Sequence, residues 1–116
     1  MNKRQGSWTQ AELIQCLCFY ASYSLQERAS ISSKDLEILA KKMPKRSTGS
    51  IARRLANFVN RDAELRRMGK IGLSGGGAHV DVLWGECSDE YGALSLEKVL
   101  RKVALSESLM DLDELD

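Results

Sequence analysis

Apolar residues return at helical spacing along most of this chain. Trp8, Leu13, Leu17 and Tyr20 recur every three to five residues, with Ile14, Cys18 and Ala21 beside them, which describes the broad buried face of a core helix. Ser7 or Thr9 can cap its start, Glu12 follows in the first turn, and the helix is expected to run to about Tyr23. Residues 24–32 show no period and read as a loop or frayed turn. Ser33 then offers a cap for a short helix from about Lys34 to Lys42 that buries Leu36, Leu39 and Ala40. Asp35 and Glu37 suit the positive end of its dipole, and Lys41 and Lys42 the negative end. Pro44, the only proline, disfavours helical geometry at Met43 and stops it.

After residues 44–47, Ser47 or Thr48 can cap a second helix whose stripe is Ile51, Leu55, Phe58 and Val59. That register puts Arg53, Arg54, Asn57 and Arg61 on or near the outer side. A short helix over Asp62 to Met68 and a glycine-rich stretch over residues 69–77 follow. Residues 78–84 fit two patterns: Val80, Leu83 and Trp84 a helical face, Val80, Val82 and Trp84 a strand pairing with residues 71–73. The helix is favoured. A last amphipathic helix over about Ser95 to Leu105 turns Leu96, Val99, Leu100 and Val103 inward and Glu97, Lys98, Arg101 and Lys102 outward. The expectation is an all-α fold in a single domain, residues 1–108. It is a small bundle of about five helices with a helix-turn-helix-like core at about residues 33–60, followed by an acidic, disordered tail at 109–116. At 116 residues, one compact core suffices.

Charge changes the picture once it is divided along the chain. Residues 31–70 carry eleven Lys and Arg against four Asp and Glu, an excess of seven positive; residues 71–116 carry three against ten, an excess of seven negative. The chain is therefore basic in the middle and acidic at its end. No apolar run approaches the roughly 18–20 residues of a membrane span, and the N-terminus leads into no signal-peptide core. A cytoplasmic protein without membrane contact is expected.

Candidate chemistry is sparse. Cys16 and Cys18 stand one residue apart on a helix and point to different sides, Cys87 is alone, and His79 is the only histidine, so no zinc-ligand spacing exists. No Ser/His/Asp set surrounds His79. The Ser74-Gly75-Gly76-Gly77 stretch lacks the Lys-Ser/Thr ending of a nucleotide-binding P-loop and reads as a connector. Trp8 and Trp84 fall in apolar stripes and read as core. No enzyme activity, metal or cofactor is expected.

What remains is a two-helix unit whose second helix is basic, the outline of a helix-turn-helix. In that geometry the start of the second helix meets base edges while flanking cations hold phosphates. The candidate DNA-binding residues are Lys42, Lys45, Arg46, Ser47, Thr48, Ser50, Arg53, Arg54, Asn57 and Arg61. Lys45 and Arg46 would grip phosphate; Arg54 and Asn57 would read guanine and adenine by paired hydrogen bonds. A solvated basic face that never meets DNA has the same composition. Asn57 could equally pin the following turn through backbone hydrogen bonds.

Several segments together resemble the N-terminal region of HNH-type restriction endonucleases. They are Trp8-Thr9 through Glu12-Leu13, the Leu36 to Ala40 helix, Arg46 to Phe58, Gly72-Leu73-Ser74-Gly75-Gly76, and Trp84. The resemblance spans about Ser7 to Trp84 and is most specific over Arg46 to Phe58. It implies a helical module that accompanies a nuclease and helps engage DNA. The nuclease half itself, with its His-Asn-His cluster, is absent here. The expected function is a non-catalytic DNA-binding or accessory protein acting on double-stranded DNA. The alternative is a protein-interaction module that docks on a nuclease or regulator through apolar residues such as Leu109, Leu112 and Leu115.

Overall fold

The computed structural model describes residues 8–115, with side chains through Glu107, and among these it is all-α, with six helices and no strand. The helices are α1 (Gln10–Ala21), α2 (Ser33–Lys41), α3 (Thr48–Arg61), α4 (Ala63–Arg67), α5 (Gly77–Cys87) and α6 (Leu96–Leu115). The helix favoured for residues 78–84 forms as α5, three residues longer at its end. A lone bridge between Ser88 and Leu94 ties off the loop before α6.

Local chemistry sets each helix start. Of the two candidate caps for α1, Thr9 acts: its hydroxyl accepts from the Glu12 N–H at 3.1 Å while the Glu12 carboxylate accepts from the Thr9 N–H at 3.0 Å, a reciprocal capping box. α1 ends at Ala21, two residues short of the expected end, where the Ser22 hydroxyl donates to the Phe19 carbonyl and Tyr23 turns its hydroxyl to Asp35. Ser32, one residue earlier than expected, caps α2. Ser47 caps α3 by accepting from the Ser50 N–H at 3.1 Å. Asp62 caps α4 through the Glu64 N–H. Residues 28–30, expected as loop, form one 3-10 turn.

α3 is central to the packing, touching α1, α2, α4 and α5, while α6 packs on α1 and α5. Its stripe of Ile51, Leu55, Phe58 and Val59 is buried as expected. Tyr20, Phe58 and Trp84 meet around it with ring centroids 5.6–6.1 Å apart, each pair adding about 0.5–1.5 kcal/mol beyond its area. Beneath them Asp62, fully buried, accepts from the Tyr20 hydroxyl at 2.7 Å and from Arg28 at 3.3 Å, which joins α1, the 3-10 turn and the α3–α4 junction. Burial and then the Asp62 hydrogen bond push the Tyr20 phenol well above its ordinary range.

Two expectations for the last helix change. Val99 is buried and Val103 packs against the core, but Leu96 and Leu100 are 57% and 56% exposed, because α6 meets the rest of the fold on a narrower stripe than its sequence offers. The helix also continues to Leu115 through most of the segment expected to be a disordered tail. No glycine or proline follows Gly92, so nothing in the sequence interrupts it. The side chains of 108–116 lie outside the described residues.

Candidate nucleic-acid interface

The sequence places its basic segment at the α2–α3 corner. Leu39 and Met43 bury there, the Arg46 N–H closes a turn on the Met43 carbonyl at 2.9 Å, and Pro44 faces solvent. The connector occupies residues 42–47, longer than the three or four residues of a helix-turn-helix turn, so the unit is a looser corner of that kind.

The candidate residues divide into two groups. Lys42, Lys45, Ser47, Thr48 and Arg53 are exposed, and Ser50 is half-buried. Among the described residues, no ion pair engages Lys42, Lys45, Arg53 or the neighbouring Lys41. The Ser47 hydroxyl serves as the α3 cap, and the Ser50 hydroxyl donates back to the Ser47 carbonyl at 3.2 Å. These residues lie on the connector and the first two turns of α3.

The second group, Arg46, Arg54, Asn57 and Arg61, is turned inward, which corrects the expectation that Arg54, Asn57 and Arg61 lie on or near the outer side of α3. The Arg46 side chain, 6% exposed, pairs with Glu12, its Nε 3.1 Å from each carboxylate oxygen and its Nη2 2.8 Å from one of them. Its guanidinium also lies 4.8 Å from the Trp8 ring centroid, and that of Arg54 lies 5.2 Å from the same ring. Trp8 is thus held by two cations, a different environment from the plain core packing its stripe suggested. Burial alone would raise the Glu12 carboxyl; hydrogen bonds from Arg46 and the Thr9 backbone, with the Arg46 charge, outweigh it and hold Glu12 below the ordinary carboxylate range. Burial also lowers Arg54 and pushes the Cys16 thiol up to about 12, with Glu12 adding to that rise.

Asn57 is 1% exposed. Its Nδ2 donates to the carbonyls of Leu73 at 2.8 Å and Ser74 at 3.4 Å, and its Oδ1 accepts from Arg54 at 2.7 Å. The backbone-pinning alternative is therefore the one the side chain takes up. Arg61 pairs with Asp81 and donates to the carbonyls of Asn57 and Gly75. The glycine loop lies directly on α3: the Leu73 N–H donates to the Ala56 carbonyl, and a Cβ on Gly72 would fall 2.3 Å from the Asn60 nitrogen. From Ala56 onward the outer side of α3 is covered by this loop.

The sequence pointed to the cations but not to their partners. Glu12 was legible as a helix-cap residue, yet its distance of 34 positions from Arg46 left no periodic trace of the ion pair. The buried set of Tyr20, Arg28 and Asp62 was missed for the same reason. Among the described residues, no group of three His, Cys, Asp or Glu side chains is placed to hold a metal ion. No helix among the described residues is long and apolar enough to cross a membrane. Compared with models of known protein families, with characterised proteins and with solved structures, the chain matches none.

Proposed function

We propose that this protein binds double-stranded DNA without chemistry of its own, as a DNA-binding or accessory module of the cytoplasm. The connector at 42–47 and the first two turns of α3 are the contacting edge. The observation that supports the reading is the concentration of exposed Lys41, Lys42, Lys45 and Arg53, outside any ion pair among the described residues, around a capped helix start carrying Thr48 and Ser50. Cations hold phosphate and the helix start meets the groove. Arg46, Arg54, Asn57 and Arg61 shape that edge from behind. A link to restriction systems rests only on the resemblance noted above, and the comparisons add nothing to it.

Titration of labelled duplex DNA at 50 and 200 mM salt tests this. Three or four phosphate contacts predict a loss of affinity of roughly 40- to 150-fold between the two. Lys45→Ala or Arg53→Ala should reduce the salt slope by about one contact without lowering Tm. Binding that ignores salt, or that both variants leave untouched, overturns the reading. The second reading, docking on a nuclease or regulator, is favoured by Leu96, Leu100 and Leu105, each more than half exposed on α6.

A further inference from the structure

Beside the Lys42–Lys45 connector lies an open groove of about 770 Å³ between α1, the connector and α6. Ile14, Phe19, Leu39, Met43 and Val103 make it largely apolar. Lys42 and Lys45 line it, and α6 closes it through Ser106 and Glu107. Beyond that wall the helix continues to Leu115. Leu105, Leu109 and Leu112 recur along it at i, i+4 and i+7, the spacing of one helical face, while Asp111, Asp113, Glu114 and Asp116 follow with no Lys or Arg after Lys102. Leu105 is 56% exposed, whereas two residues earlier Val103 packs on the core, so Leu105 stands on a side of α6 that the core does not cover.

One molecule thus carries both halves of a contact, an apolar groove edged by lysines and an apolar helical stripe accompanied by acids. The stripe starts on the helix that walls the groove. With α6 unbroken to Leu115, the end of the helix does not fold back into the molecule's own groove. We propose that the end of α6, from Leu105 onward, docks in the groove of a second copy, and that the exchange is reciprocal about a two-fold axis. An isologous contact of this kind occurs twice in the dimer, which lets a groove of modest size reach the roughly 1,200 Å² of a specific interface. Pairing of tail acids with Lys42 and Lys45 fixes the direction of the helix in the groove. The proposal stands independently of DNA binding, since it uses only the groove, the stripe and their charges.

Sedimentation of the full chain across micromolar to high-micromolar concentration reads the outcome. Wild type should pass from monomer to dimer, and Leu105→Glu with Leu109→Glu should leave it monomeric at every concentration. Lys42→Glu with Lys45→Glu should weaken the dimer at least tenfold. Mixing that variant with an Asp113→Lys, Glu114→Lys chain should restore association as a heterodimer, while each alone stays weak. At concentrations where wild type is monomeric, the melting curve of the Lys42→Glu, Lys45→Glu chain should match it, because both side chains are exposed. A wild-type chain that stays monomeric throughout overturns the proposal. So does a dimer that survives the leucine substitutions, or a charge-reversed pair that fails to recombine.

Discussion

Asn57 and Arg53 stand four residues apart on α3 and do opposite things. Asn57 bonds two loop carbonyls and one arginine from a fully buried position, whereas Arg53 reaches solvent. Asn57→Ala removes the donor for the Leu73 carbonyl and the acceptor for Arg54, and a buried group left without its partner costs about 1–3 kcal/mol. A fall in Tm of about 5–15 °C should follow. DNA affinity of the folded fraction should change little. Arg53→Ala should show the reverse, normal melting and weaker binding. Thermal melting run alongside DNA titration separates the two, and an Asn57→Ala chain that melts normally but loses DNA would return Asn57 to a base-reading role. Periodicity could not decide between these fates. It marked position 57 as next to the stripe, and an amide beside a stripe can face solvent or meet a loop 16 residues further on.

Glu12 adds a pH dependence at the same scale. Its carboxyl is held below the ordinary value of 4.5, so its contribution to stability is fully present above that pH and is lost as acid protonates the folded form. Glu12→Gln keeps the capping geometry, since Gln serves in a capping box as Glu does, but removes the charge opposite Arg46. The Tm difference between wild type and Glu12→Gln should be greatest near neutrality and shrink steadily below pH 4.5. A difference that holds constant into acid would mean the ion pair contributes nothing beyond its hydrogen bonds.

At the scale of elements, the helices were legible and their junctions less so. Ser and Thr before apolar runs marked the starts of α1, α2 and α3, with Ser7 offered beside the true cap Thr9 and Ser33 one residue late, because capping is a local act between neighbours. The glycine stretch was legible only as a connector. Its packing role comes from contact with α3, where Gly72 fits because it lacks a side chain: an added Cβ would sit 2.4 Å from the Ala56 carbonyl oxygen. Gly76, with φ of 93°, begins α5 hard against Asn57. Gly72→Ala should therefore lift the loop from α3, break the Leu73-to-Ala56 bond and expose Asn57. Amide exchange should accelerate at Leu73 and through the first turn of α5, while α1 and α2 keep their protection. Gly75→Ala has open space around its Cβ, with strain only from its positive φ, and should be milder. If both substitutions protect and melt alike, the close approach of Gly72 is not what holds the loop.

Taken whole, the molecule separates charge along its sequence, an excess of seven positive over residues 31–70 and seven negative over 71–116. Of the five ion pairs among the described residues, only Arg61–Asp81 joins the basic segment to the acidic one. Acids at 111, 113, 114 and 116 follow the wall of the groove in sequence, and attraction between them and the lysines of the connector would reach only about 10 Å at 0.1 M salt and farther when salt is dilute. If the connector holds phosphate as proposed, an acidic end brought to Lys42 and Lys45 would compete with it. Removing residues 109–116 should therefore tighten binding to duplex DNA, with the gain greatest at the lowest salt and fading as screening rises. The truncated chain should also lose its dimer, because Leu109 and Leu112 go with the acids. A chain with Asp111, Asp113, Glu114 and Asp116 replaced by their amides keeps the leucine stripe and isolates the electrostatic part. It should bind DNA as tightly as the truncation does, with some self-association retained. If truncation leaves DNA affinity at low salt where it was, the acidic end does not compete for this edge, and the exposed lysines at 42 and 45 meet solvent whatever the tail does.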